Sequence, residues 1–222
     1  MKKRLGILSG LFTVGCIAAF GSDADFVTYT NEVAVAIAGY TGTNTVVTFP
    51  AKINGIPVTT IFGLGRQDLT VITVPASVSY LKPDVFEGNS NLKTVYFLGD
   101  APYLERVKGC WYGLEGTHAI VCYMPGHAGF GEFIQTVPWD PTYSVVVAEW
   151  DARAAIQQTS TGACVTVTGN TNLNAVCVYA CTNLANPNWV PVTTSLNLAN
   201  GPVSFEDTNP PPMRFYSVGW PQ

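Results

Sequence analysis

The chain carries two histidines, His118 and His127, the side chains most suited to act as bases or metal ligands near neutral pH. His118 lies in a glycine-rich stretch and His127 follows the Pro125-Gly126 turn, so both read as solvated loop residues. A thiolate nucleophile needs a base beside it, and Cys110 with His118 is the pair the sequence offers. No acid to orient the imidazole and no oxyanion loop accompanies that pair. Glu105, Glu115 and Glu132 flank Tyr103, Trp111, Tyr112 and Phe133. Two carboxylates across a sugar would suit a glycosidase, but exposed loop acids beside core aromatics produce the same pattern. Gly-x-Ser-x-Gly, His-Glu-x-x-His and the phosphate loop do not occur. The expectation is a non-enzymatic chain with no catalytic residue, no metal site and no cofactor.

Cys110, Cys122, Cys164, Cys177 and Cys181 follow an isolated Cys16. Cys177 and Cys181 have no second Cys/His pair to complete a zinc site. Cys110 with Cys122 is the first disulfide expected, and Cys164 with Cys177 or Cys181 the second. Without Cys16 five remain, and an odd number in an exported chain leaves at least one thiol unpaired or intermolecular. The aromatic faces of Trp111 and Tyr112 could instead stack on sugar rings.

The ends and composition say where such side chains work. Lys2, Lys3 and Arg4 precede a run of apolar or small residues from Leu5 to Phe20, and Gly21, Ser22 and Ala24 follow. That order is a secretory signal over residues 1–22, with cleavage after Gly21 or Ala24 both fitting. The run is about 16 residues, short of the roughly 20 a spanning helix needs. No membrane span is expected. Thr13-Val14-Gly15-Cys16 loosely follows a lipoprotein box, making a lipid on Cys16 the alternative to release. Loss of the segment removes three basic and no acidic residues, moving the formal charge from −4 to −7. An acidic chain without basic clusters is a poor nucleic-acid ligand. Abundant Val, Thr, Gly, Asn and Pro favour strands and turns.

Three segments repeat: Val47-Thr48-Phe49, Ile72-Thr73-Val74 and Val95-Tyr96-Phe97, spaced by 25 and then 23 residues. Such a period marks stacked repeats whose units cannot close a core alone. The alternation buries Val47, Phe49, Ile72, Val74, Val95 and Phe97. It turns Thr48, Thr73 and Tyr96 onto a shared outer face, the candidate surface for a protein partner. Ile61 and Leu81 occupy matching positions before the next strand, and Phe86 is a plug before Leu92.

Residues 26–126 resemble the BspA-like leucine-rich repeats of bacterial surface and secreted proteins. The likeness lies in Ala36–Gly42, Phe49-Pro50-Ala51-Lys52-Ile53-Asn54-Gly55-Ile56-Pro57-Val58, Val74-Pro75-Ala76-Ser77-Val78, Phe86–Leu92 and Tyr96–Pro102. The turn from Ile61 to Leu69 is about three residues shorter than the family's usual turn. Asn89 lies near a position where the family commonly has Cys. Val121–Gly126 resembles a closing strand. The resemblance implies a short parallel solenoid that presents a sheet or loop face to a partner, and some members are adhesins.

After the turn-rich Pro138–Pro141, a β-branched run (Tyr143–Ala148) precedes strand signals at Val165–Thr168, Ala175–Ala180, Trp189–Val192, Val203–Phe205 and Arg214–Val218. Ala180–Trp189 and Arg214–Tyr216 resemble the C-terminal β-module of similar secreted proteins. Residues 149–162 read as a strand-joining loop. The expected architecture is mainly β: a signal over 1–22, a leucine-rich-repeat domain over 23–140 and a small β-sandwich-like domain over 141–222. Expected function is binding or adhesion to a protein at the cell surface or outside the cell. Carbohydrate binding through Trp111 and Tyr112 is the alternative, and a hydrolase ranks below both. The sequence leaves the oligomeric state open.

Overall fold

A computed structural model describes residues 6–7, 23–82, 85–86, 88–104, 119–130, 146–186, 188–193, 195–208, 210–211 and 213–220. The chain divides into two compact units, the first ending at Glu149 and the second beginning at Trp150. Strand β1 (Gly6–Ile7) belongs to the second. Among the described residues the helical element is a 3-10 turn at Asp23–Asp25.

The first unit is a parallel β-solenoid. Its strands are β2 (Phe26–Thr30), β3 (Val35–Tyr40), β4 (Val46–Thr48), β5 (Lys52–Ile53), β6 (Ile56–Ile61), β7 (Val71–Val74), β8 (Tyr80–Leu81), β9 (Thr94–Phe97), β10 (Tyr103–Leu104), β11 (Ile120–Tyr123) and β12 (Val146–Glu149). They alternate between two sheets, ordered β10-β8-β6-β3-β2 and β12-β11-β9-β7-β4. The repeat spacing becomes physical register: Val47 pairs with Ile72, and Ile72 with Val95. Val121 extends that row, but its strand does not close the array, because β12 pairs on its far side. The run near residue 146, which the sequence puts at the start of the second domain, instead supplies β12 beside β11. Its β-branched residues suit either sheet, so composition alone does not choose between them.

Side chains from every coil meet in one interior. Val35, Ile37, Val58, Ile61 and Leu81 enter from the first sheet, and Val47, Ile72, Val74, Val95, Phe97 and Val121 from the second. Phe86 is buried among them, as the sequence suggests. Each such residue contributes roughly 1.5–3 kcal/mol when removed from water. Antiparallel β2 covers the first coil's sheet edge, and Asn31 shapes the β2–β3 turn by accepting from the Val33 and Ala34 amides at 3.0 and 2.8 Å. Asn54-Gly55, both at positive φ (52° and 82°), make the two-residue turn joining β5 to β6.

The irregular turns are tied to neighbouring coils. In the shortened turn Arg66 bonds to Asp68 and to the Gly42 carbonyl, and its guanidinium lies 5.6 Å from the Tyr40 ring centroid. Asn89 is buried. It accepts the Leu69 amide at 3.3 Å and donates to the Phe86 carbonyl at 3.2 Å. Corners are close-packed: a Cβ on Gly99 would meet the Ala76 Cα at 2.6 Å, and one on Gly129 the Ala101 Cβ at 2.9 Å.

The second unit holds two small sheets. Strands β13 (Arg153–Gln158), β14 (Gly162–Thr168), β15 (Cys177–Cys181), β16 (Val190–Pro191), β17 (Val203–Thr208) and β18 (Phe215–Gly219) follow in the chain. The sheets are ordered β13-β14-β17 and β1-β18-β15-β16, antiparallel except for β1 on β18. Residues 149–162 are thus not the loop the sequence suggests. Ala and Gln disfavour strand, but Ala154 and Ile156 alternate with exposed Arg153, Ala155 and Gln157, and pairing with β14 overrides propensity. The turn after Thr168 carries the chain from one sheet to the other, so β14 and β15 are not hairpin partners.

Val74→Asp places an unpaired charge in the shared interior, where Val74 is buried. It is expected to cost about 3 kcal/mol or more and to lower or abolish the thermal transition. An unchanged melting curve would contradict a common solenoid core.

Candidate functional site

The two solenoid sheets present different outer faces. In the first, the register sets Tyr29, Ala36, Thr60, Tyr80 and Tyr103 in one row across five strands. An extra residue, Thr59, is accommodated between the Val35–Val58 and Ala36–Thr60 pairs, and this keeps Thr60 in the row. One residue beyond the inward Ile37, Ile61 and Leu81 stand Ala38, Phe62 and Lys82, with Val27 beside Gly39. Amide donation from Phe62 to the Ile37 carbonyl (2.8 Å) and from Lys82 to the Ile61 carbonyl (3.0 Å) carries this second row past the strand ends. Tyr29 and Tyr103 are 67% and 66% exposed, and Val27 and Phe62 also stand out from the surface. The Tyr80 and Tyr103 rings stack at 6.1 Å with planes 26° apart. Lys82 is the one charged residue among the described members of these two rows.

Much of the second sheet's outer face is closed to solvent. Thr48, Thr73 and Tyr96 share one row with Cys122 and Ala148, so the sequence groups the three residues correctly. Thr73 and Tyr96, however, are 0% exposed, and Thr48 is half-buried. The expected ligand-facing surface is corrected accordingly. Alternation identifies the residues sharing a face but not whether that face is covered. The adjacent row, Val46, Val71, Thr94 and Ile120, is largely β-branched and apolar, the signature of strands buried on both faces. The Thr48 and Thr73 Oγ1 atoms have no hydrogen-bond partner.

The exposed tyrosines were legible in principle. Tyr80 and Tyr103 are 23 residues apart, the same interval as Ile72 to Val95. They therefore occupy equivalent repeat positions. The other candidates, Trp111 and Tyr112, lie outside the described residues, as do Cys110, His118, Glu105, Glu115 and Glu132.

His127 is not simply solvated. Its Nδ1 lies 3.1 Å from Asp100 Oδ1, which also accepts the Ala128 amide at 3.0 Å. These contacts, the Ala128 amide foremost, hold the Asp100 carboxyl below the ordinary aspartate range. The Ala101 amide returns a bond to the Ala128 carbonyl at 2.9 Å, making a clasp between coil corners. Among the described residues no cluster of three or more His, Cys, Asp or Glu could hold a metal ion, and no helix is long and apolar enough to cross a membrane.

The second unit's thiols correct the second disulfide expectation. Cys164, Cys177 and Cys181 are free, with Cys164 on β14 and the other two on β15 of the other sheet. Cys177 and Cys181 share a face but are four residues apart in a strand, about 13 Å, beyond the ~7 Å reach of a disulfide. With Tyr179, Trp189 and Phe215 they form a small apolar cluster. Burial pushes the Cys177 thiol up to about 11 and raises Cys181 as well. Nearby, the Tyr216 hydroxyl donates to Asp207 Oδ2 at 2.6 Å. Burial and this contact keep that phenol protonated. Arg214 Nε is 3.1 Å from the same oxygen, close enough to pair but not aligned to donate.

The chain matches no protein-family model, no curated protein and no solved structure. What the structure itself shows is a short β-solenoid of about 3 turns followed by small antiparallel sheets.

Two outcomes follow. Thr73→Val removes a buried, unpartnered hydroxyl at nearly constant shape and should stabilise the protein by about 1 kcal/mol, seen as a higher denaturant midpoint. In the native protein Cys164 should alkylate well before Cys177 and Cys181, because only it is partly exposed. Peptide mapping that finds Cys164 bonded to either would refute the free-thiol assignment.

Proposed function

We propose that this is an exported, non-enzymatic binding module that engages a protein partner through the outer face of the first solenoid sheet. The observation that carries this reading is the exposed row ending in Tyr29 and in the Tyr80–Tyr103 stack, beside Val27 and Phe62. Tyrosines offer large apolar area with a polar tip and few rotatable bonds, the properties that enrich them at protein interfaces. The small Ala36, Ala38 and Thr60 leave the middle low between taller side chains. A partner's protruding side chain would fit there.

The resemblance of residues 26–126 to BspA-like repeats supports a presenting role at the cell surface or beyond it, and the basic-apolar-small N-terminus supports export. Adhesion is one form such binding takes in that family. Carbohydrate binding is the second reading, favoured by the exposed aromatics. Stacking on a sugar needs an open ring face, and Tyr80 and Tyr103 turn ring faces toward each other.

Affinity capture from the producing cell's surroundings tests the proposal. The protein should retain a polypeptide that the Tyr29→Ser, Phe62→Ser, Tyr103→Ser triple variant loses, with no change in melting temperature because all three positions are exposed. Equal capture by both proteins would remove this face from consideration. Retention of polysaccharide instead would favour the second reading.

A further inference from the structure

β2 ends the first sheet, and among the described strands none lies on its outer side. The Asp25 carbonyl accepts the Thr41 amide at 2.7 Å, and the Asn31 amide donates to the Ala34 carbonyl at 3.1 Å. The backbone groups of residues 25, 27, 29 and 31 therefore turn toward β3. Those of Phe26, Thr28 and Thr30 turn outward, since the direction alternates along a strand. The segment Phe-Val-Thr-Tyr-Thr has no charge and no proline. It lacks the devices by which edge strands usually avoid pairing with other chains. β16, which ends its own sheet, is two residues long and includes Pro191.

We propose that β2 pairs antiparallel with β2 of a second copy of this chain, about a two-fold axis through Thr28. The strand is self-complementary in that register. Thr28 meets Thr28 and Phe26 meets Thr30 as hydrogen-bonded pairs, using the outward backbone groups. Val27 meets Tyr29 in the closer, non-hydrogen-bonded pairs. Thr–Thr and aromatic–β-branched combinations are among the favourable cross-strand pairs. Asp25 falls opposite Asn31, so like charges do not face each other.

A two-fold axis perpendicular to the sheet leaves both outer faces on the same side. Tyr29 of one copy then adjoins Val27 of the other, and the two exposed faces become continuous. The use of that joined face rests on the binding proposal, but the pairing itself does not. Five strands about 4.8 Å apart and two rows of side chains give one copy a face of roughly 300–400 Å². That is about half of the ~800 Å² per partner that a stable protein interface takes. Pairing brings the face close to that size.

Sedimentation and light scattering of the purified protein should show a concentration-dependent monomer–dimer equilibrium. Thr28→Pro deletes one outward N–H while leaving every bond to β3, so it should shift the equilibrium to monomer with the circular-dichroism spectrum unchanged. A charge test covers the case in which proline disturbs the strand. Val27→Lys with Tyr29→Lys, and separately Val27→Glu with Tyr29→Glu, set like charges opposite each other and should each be monomeric. An equimolar mixture should form a heterodimer. A wild-type protein that stays monomeric up to hundreds of micromolar, or dimers that persist in each charged variant alone, would overturn the pairing. Partner capture by a strictly monomeric protein would sink the dimer and leave the binding proposal standing. A dimer that captures nothing would do the reverse.

Discussion

No coil of the solenoid closes a core by itself. Val47, Ile72, Val95 and Val121 form one row inside the second sheet, and the residues facing them from the first sheet come from different points in the chain. Each contact that shields one coil from water belongs equally to its neighbour. Parallel pairing keeps these rows aligned although the intervals between paired residues run from 20 to 26. The turns between strands absorb the difference, and they are where Arg66 and Asn89 bond across to other coils.

The same interior leaves the outer faces free to differ. On the second sheet, residues opposite the core are themselves mostly β-branched or aromatic, and much of that face is withdrawn from solvent. On the first sheet the outward positions mix tyrosines with alanine and threonine, and that face is open. One scaffold thus supplies a surface devoted to packing and another open to solvent. A surface built on regular strands has little backbone freedom left to lose, because its backbone is already fixed from beneath.

Much of the solenoid was legible because its signal is periodic. The intervals of 25 and 23 residues, the inward alternation and the Ile61–Leu81 equivalence all became hydrogen-bonded register. Burial of an outer face was not legible from alternation, which is blind to whatever lies above a sheet. Thr73 and Tyr96 were therefore grouped correctly and assigned the wrong environment. Residues 149–162 misled for a different reason: Ala and Gln have little local preference for strand, and β13 exists because β14 offers it a partner. Asn54-Gly55 shows the opposite case, a turn whose geometry two residue types specify almost alone. The free thiols of the second unit follow from strand direction and sheet membership, which cysteine spacing does not encode.

Where Gly99 passes Ala76, and again where Gly129 passes Ala101, two successive turns of chain touch with no room for another carbon. These points act like the stitched spine of a book. Pages of unequal width can be bound there, but none can be thickened at the binding. Loops away from these points can differ in length, whereas a single methyl group at Gly99 or Gly129 would force the adjoining coil to shift away.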